Sequence, residues 1–275
     1  MDVILLYKNN CRWIKSVTDS LFMKGDNTVH VISNDNLPYK QKGLYTHKLK
    51  DYETPELNLL CRTYIHKNTC FREFNLFNIM RWFYILEFVK RNNIKNFMCT
   101  DWDVVFFCDV DKEGERFRKY DFTVNNKISL GLSFWNNTKA LQKFADYILR
   151  VYSNPKSAEA MRVLSHYENR QKAKLPGGVC DMTFAGRFAS EGGYQTTDIY
   201  DIHDNSIFDN NIKIVDGWQR DKLSGLKDIF FKDGNAYCFN TRIKDNVRLN
   251  CTHLFGGYKS RIPGMFNRYK ESFNG

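Results

Sequence analysis

The chain has 275 residues, enough to bury a large core as one sizeable domain or two small ones. Its 43% hydrophobic, 26% charged and 15% aromatic residues exclude a disordered chain and favour an α/β fold, where bulky rings pack between helices and sheet. The formal charge of +10 makes the surface attractive to anions, but Lys and Arg are scattered and form no basic tail or arm.

Residues 3–7 form a short apolar run ending in Lys8-Asn9-Asn10, a buried strand feeding a polar loop. A helical stretch over 11–23 and a second strand over 28–33 complete a βαβ unit, which predicts a parallel sheet. Ligands of such sheets bind beyond the carboxyl ends of the strands, so Tyr7 to Asn10 form an expected binding edge. Residues 71–93 read as the clearest helix, with Phe74, Phe77, Ile79, Met80, Phe83, Ile85, Leu86 and Phe88 on a broad apolar face. Arg81 lies in its middle, either snorkelling from the helix edge or fixed as a cation beside an anionic ligand.

A short apolar strand then runs into Asp101-Trp102-Asp103, and another apolar strand runs out through Phe107. Further strand is expected over 122–135, with Gly131 in a small-residue stretch, followed by helices over 137–152 and 156–171. Pro176-Gly177-Gly178 marks a turn before a helix from Asp181 to about Ser190. The last third reads as loop-rich, with short strands over 228–231, 237–240 and 247–252 and a turn over 232–235. No internal repeat appears, so the chain reads as one continuous domain over 1–275, with a sheet-forming half over 1–111 and a second half over 112–275.

The eight cysteines, at 11, 61, 70, 99, 108, 180, 238 and 251, include no CxxC pair and no zinc-type grouping with histidine. That pattern predicts free thiols in a reducing, cytoplasmic setting, as does an N-terminus with an acid at Asp2 and only a short apolar run. No window approaches the length of a membrane span, so at most peripheral membrane contact is expected. The Asn136 and Asn250 sequons are then accidental.

Asp-x-Asp is a weak motif alone, and this chain carries it twice. Asp101 and Asp103 interrupt otherwise apolar residues, where an unpaired carboxylate is costly. Two such acids in a strand-to-strand turn call for a cation, and oxygen ligands suit Mg²⁺ or Mn²⁺. Asp109 and Asp111 open a polar loop where water solvates them. Downstream, His253 ends a strand and is followed by Gly256, Gly257 and Lys259. The histidine is either satisfied before a tight turn or aimed into a site as a metal ligand. The glycines would let backbone approach a phosphate, to which Lys259 would add a point charge.

Asp-x-Asp after a strand, joined to His-x-x-Gly-x-x-Lys near the C-terminus, resembles the retaining glycosyltransferases of family eight, the glycogenin-like group with the GT-A fold. The resemblance implies a Rossmann-like, mostly parallel central sheet flanked by helices. It implies Mn²⁺ (or Mg²⁺) held by Asp101, Asp103 and His253, with Gly256 and Lys259 at the donor diphosphate. By the same resemblance, Arg81 lies near the donor and Gly177-Gly178-Val179-Cys180-Asp181-Met182 matches a segment whose acid contacts the donor sugar. Asp181 is therefore expected at the reacting carbon, although a helix N-cap would equally explain it. Ser260-Arg261 and Met182 depart from the family's Pro-Trp and glutamine, and Ser129 to Ser133 matches its Asn-Ser-Gly strand only loosely.

The expected activity is transfer of a sugar from a nucleotide diphosphate donor, UDP-linked, to a hydroxyl of a glycan, glycoprotein or glycolipid. Tyr7 would meet the base or ribose. Two rivals are a nucleotidyltransferase using the same acid pair and a non-catalytic basic nucleic-acid-binding protein. The first would need a Gly-rich phosphate loop after the first strand. The second would need clustered basic residues with interleaved aromatics, and no nucleic acid is expected.

Overall fold

Alternation decides the first strand of the computed structural model, which describes residues 1–8 and 12–273. In β1 (Asp2–Leu6), Ile4 and Leu6 join one buried cluster and Val3 and Leu5 the other. A strand buried on both faces belongs inside a sheet covered on both sides. Asn9, Asn10 and Cys11, part of the expected loop and helix start, lie outside the described residues.

The chain continues through α1 (Ile14–Phe22), β2 (Thr28–Ser33), β3 (Leu44–Lys48), α2 (Pro55–Thr63) and α3 (Arg72–Arg91). Next come β4 (Phe97–Thr100), β5 (Val104–Phe106), the short α4 (Val110–Gly114), β6 (Phe122–Val124) and β7 (Leu132–Trp135). Three helices follow, α5 (Thr138–Ser153), α6 (Ala158–Lys172) and α7 (Asp181–Glu191), then β8 (Thr196–Asp198) and β9 (Ser206–Asp209). The hairpin of β10 (Phe230–Lys232) and β11 (Asn235–Asn240), β12 (Asp245–His253) and α8 (Ile262–Glu271) complete it.

Seven strands form the main sheet in the order β3-β2-β1-β4-β7-β6-β8. The run from β3 to β4 is parallel, β7 runs antiparallel to both neighbours, and β8 is parallel to β6. Helices α2, α3, α5, α6 and α7 cover one face, around a core of Trp82, Phe88, Phe97, Phe122, Trp135 and Phe144. On the other face lie α1, α8 and a second sheet, ordered β10-β11-β12-β5 with β9 on β12. This is the α/β architecture expected, a mostly parallel central sheet flanked by helices.

The expected elements that differ do so for local reasons. The stretch 122–135 is two strands, because Asn126 and Lys127 take positive φ and turn the chain. Phe74 is 61% exposed, while Trp82 and Tyr84 join the buried face of α3, which turns the helix's apolar side away from its N-terminal turn. Asp109 does not sit in a solvated loop. It caps α4, accepting from the backbone N–H of Asp111 and Lys112. The last third also ends in a helix, α8, with Pro263 in its first turn, where the missing N–H costs nothing.

Candidate active site

Strand pairing assembles the site. β12 runs antiparallel to β5 with His253 opposite Val104, one residue beyond the acidic turn. The backbone N–H of Leu254 donates to the Asp103 carbonyl at 2.9 Å and locks the two segments together. On the other side of the turn, β4 pairs with β7 with Thr100 opposite Leu132, which sets Gly131 beside Asp101. The Asp101 N–H donates to the Gly131 carbonyl at 2.6 Å, and a Cβ at Gly131 would lie 2.3 Å from Asp101 Oδ2. Only glycine leaves room for the carboxylate there.

Asp101, Asp103 and His253 each offer a ligand atom, and those atoms lie within 4.8 Å of one another. His253 Nε2 is 2.9 Å from Asp103 Oδ1, and Lys259 Nζ is 2.9 Å from Asp103 Oδ2. Burial opposes charge on Asp103, but His253 and Lys259 outweigh it and hold the carboxyl at about 2. Burial likewise opposes charge on His253, and the hydrogen bond and charge of Asp103 raise its pKa instead. Asp101 is shifted upward, first by burial, with Arg81 working against the shift. Two carboxylates and an imidazole around one point are a donor set for a divalent cation, and the carboxylate oxygens fit Mn²⁺ or Mg²⁺.

Arg81 joins the parts of the site. One guanidinium nitrogen donates to Asp101 Oδ1 and another to Asp181 Oδ2, both at 2.6 Å. Burial would lower its pKa, and the charges of Asp181 and Asp101 raise it instead, so it stays a cation. It is a fixed charge between two acids and not a snorkelling side chain.

Asp181 reaches this point from a braced turn. Gly178 takes φ +154°, and a Cβ there would lie 2.3 Å from the Lys67 carbonyl. The Val179 N–H donates to that carbonyl at 2.7 Å, and Asn75 Nδ2 donates to the Val179 carbonyl at 2.8 Å. Cys180 occupies the N-cap of α7, so Asp181 is the first helical residue and not the cap. Its Oδ2 is taken by Arg81, and its other oxygen has no protein partner among the described residues.

The remaining expected residues lie around this centre. Gly256 and Gly257 open a 3-10 turn, exposed, with nothing near a Cβ at either, and Gly256 has φ +62°. Lys259 lies within that turn and places its ammonium 3.8 Å from the centre of the Trp102 ring. Tyr7 follows β1 but is 4% exposed, packed in the core beneath the strand ends. Sequence reasoning gave no role to Trp102 or Gly131. A glycine interrupting apolar strand residues was the available signal for Gly131. Trp102 stands between the acids and stacks in parallel with Trp13, ring centroids 6.2 Å apart.

No protein-family model matches the chain, and no curated protein matches it. Solved structures do. An active-site mutant of LgtC superposes with TM-score 0.51 at 9% identity, covering 99% of this chain and 96% of that one. Mouse xyloside xylosyltransferase 1 in its apo form gives 0.47 at 10% identity, covering 75% and 88%. The galactosyltransferase LgtC with donor and acceptor sugar analogs gives 0.41 at 10% identity, covering 97% and 95%. These structural neighbours are glycosyltransferases. The fold of this chain is of the GT-A type, and it carries an acid–acid–histidine cluster at the end of its central sheet.

Proposed function

We propose that the protein is a metal-dependent glycosyltransferase that moves a sugar from a nucleotide diphosphate, UDP-linked, to a hydroxyl of a glycan, glycoprotein or glycolipid. One observation carries the reading. Two acids and a histidine converge beside Lys259 and, through Arg81, connect to a third acid, Asp181. In this reading Asp101, Asp103 and His253 would hold Mn²⁺ or Mg²⁺, and the ion would supply Lewis-acid stabilisation of the diphosphate's charge. Lys259 and the backbone at Gly256 and Gly257 receive the phosphates, and Tyr7 closes the floor beneath the base or ribose. Residues 1–111 form the nucleotide-sugar-binding half of one domain, and 112–275 the acceptor-side half with the C-terminal metal and phosphate segment.

The sugar would lie between the diphosphate and Asp181, with Arg81 as a fixed positive charge where the leaving group gains negative charge. The bond from the anomeric carbon to the phosphate oxygen breaks, and its electron pair leaves with the diphosphate. The acceptor oxygen bonds to that carbon, and its proton passes to the departing diphosphate or to Asp181. Retention and inversion differ in that last choice. The described cysteines are all free, and no described helix is long and apolar enough to cross a membrane. We take a cytoplasmic setting as the fitting one.

Incubation with a panel of nucleotide sugars and Mn²⁺ tests the reading. We expect slow hydrolysis of one donor class and its loss in Asp103→Ala. No hydrolysis of any nucleotide sugar, with UDP failing to bind, would contradict it.

A further inference from the structure

A cleft of about 690 Å³ opens on the Asp181 side of the site, between the start of α3, the end of α6 and one face of α7. Asp181 is among its lining residues, and Arg81 links that carboxylate to Asp101 and the acid–acid–histidine cluster. The cleft is therefore reached from the side of Asp181, with Arg81 between it and the expected diphosphate position.

Its lining has two characters. Phe74, Ile128 and Met182 present an apolar wall, exposed at 61%, 47% and 42%. Three large exposed apolar side chains brought together along one cleft form the kind of patch that marks a binding groove. The polar part of the lining includes His166, Arg170 and Arg187. Arg187 is paired with Glu191 at 3.0 Å. Arg170 has no acidic partner among the described residues; its Nε donates to the Pro176 carbonyl at 2.6 Å, which holds the side chain across the Gly177 turn. His166 has its pKa lowered, first by burial and then by the charges of Arg170 and Arg187.

We infer that this cleft is the acceptor site and that it selects an anionic glycoside. The acceptor hydroxyl is directed to Asp181, its sugar ring lies on Phe74 and Met182, and its carboxylate or phosphate meets Arg170. The inference rests on the glycosyltransferase reading above and adds the chemical class of the acceptor. A fixed, unpaired guanidinium beside an apolar wall is the arrangement that recognises an anion attached to a ring, since the charge-assisted bond is strong and directional.

Saturation-transfer NMR on the protein with UDP and Mn²⁺ tests it, using methyl β-glucuronide, methyl glucoside 6-phosphate and neutral methyl β-glucoside as probes. Both anionic probes should bind at least about 10-fold more tightly than the neutral one, the effect of a single charged hydrogen bond. A carboxylate-specific corner would favour the glucuronide, and a phosphate-specific one the 6-phosphate. Arg170→Gln should abolish the preference while UDP and Mn²⁺ still bind, and Phe74→Ala should weaken all three probes. Equal binding of neutral and anionic probes, or a preference that survives Arg170→Gln, overturns the inference and leaves the donor reading standing. Failure of UDP to bind the unaltered protein with Mn²⁺ overturns both.

Discussion

Histidines sit at two edges of this molecule and do opposite things. At the outer edge of the main sheet, His30 and His47 are 3.1 Å apart, with Asp2 on the far side of His30 and the Tyr52 hydroxyl on the far side of His47. Burial, then the neighbouring His30, pushes His47 down to about 4, so it is neutral. At the end of β12, His253 meets Asp103 and is pushed the other way. Both are hydrogen-bonded and partly buried; the surroundings differ. One is closed by aromatic and neutral partners, including Phe88, and the other faces two carboxylates and a lysine beside open backbone. A histidine becomes a ligand candidate when two carboxylates converge on it at one point.

The contrast can be broken hardest at Arg81. Arg81→Met leaves Asp101 and Asp181 as buried carboxylates without their cation, and we expect a loss of about 3 kcal/mol, seen as a lower urea midpoint. A variant as stable as the parent would mean that the bridge does not hold the site together. Gly131→Ala acts through space alone. The added methyl must displace the Asp101 carboxylate, so a stability cost of about 1 to 3 kcal/mol should accompany weaker Mn²⁺ binding. Unchanged Mn²⁺ affinity would argue that Asp101 is not a ligand.

The outer histidines give the pH-dependent test of the same contrast. In the unfolded chain His47 titrates near 6.5, well above its folded value of about 4. Between those values the unfolded chain takes up a proton that the folded protein does not, so stability falls as pH drops from about 6.5 to 4. His47→Gln should flatten that part of a pH–stability curve measured by urea denaturation. An unaltered slope would show that His47 is not the group responsible.

Much of the fold and part of the site were legible in the sequence, and the boundary has a physical cause. Thr28–Ser33 and Arg72–Arg91 follow from hydrophobic period, and Asp101, Asp103 and His253 from acids or a histidine ending apolar strands. β3 escaped because Leu44–Lys48 is an edge strand with no fully buried residue, so it carries no apolar alternation. The Arg81–Asp181 bridge joins residues 100 positions apart, and that meeting is set by how α3 packs against α7. Nothing local in either segment signals it. The same holds for the acceptor cleft, whose apolar wall comes from three separate elements and has no period of its own.

The central claim is that Asp101, Asp103 and His253 hold a cation against a nucleotide diphosphate. Calorimetric titration of UDP into the protein measures it directly, with Mn²⁺ present and after EDTA. Binding should weaken at least about 10-fold without the metal, a difference of about 1.4 kcal/mol, and should be lost in Asp103→Ala. UDP binding that is indifferent both to Mn²⁺ and to Asp103→Ala would contradict it.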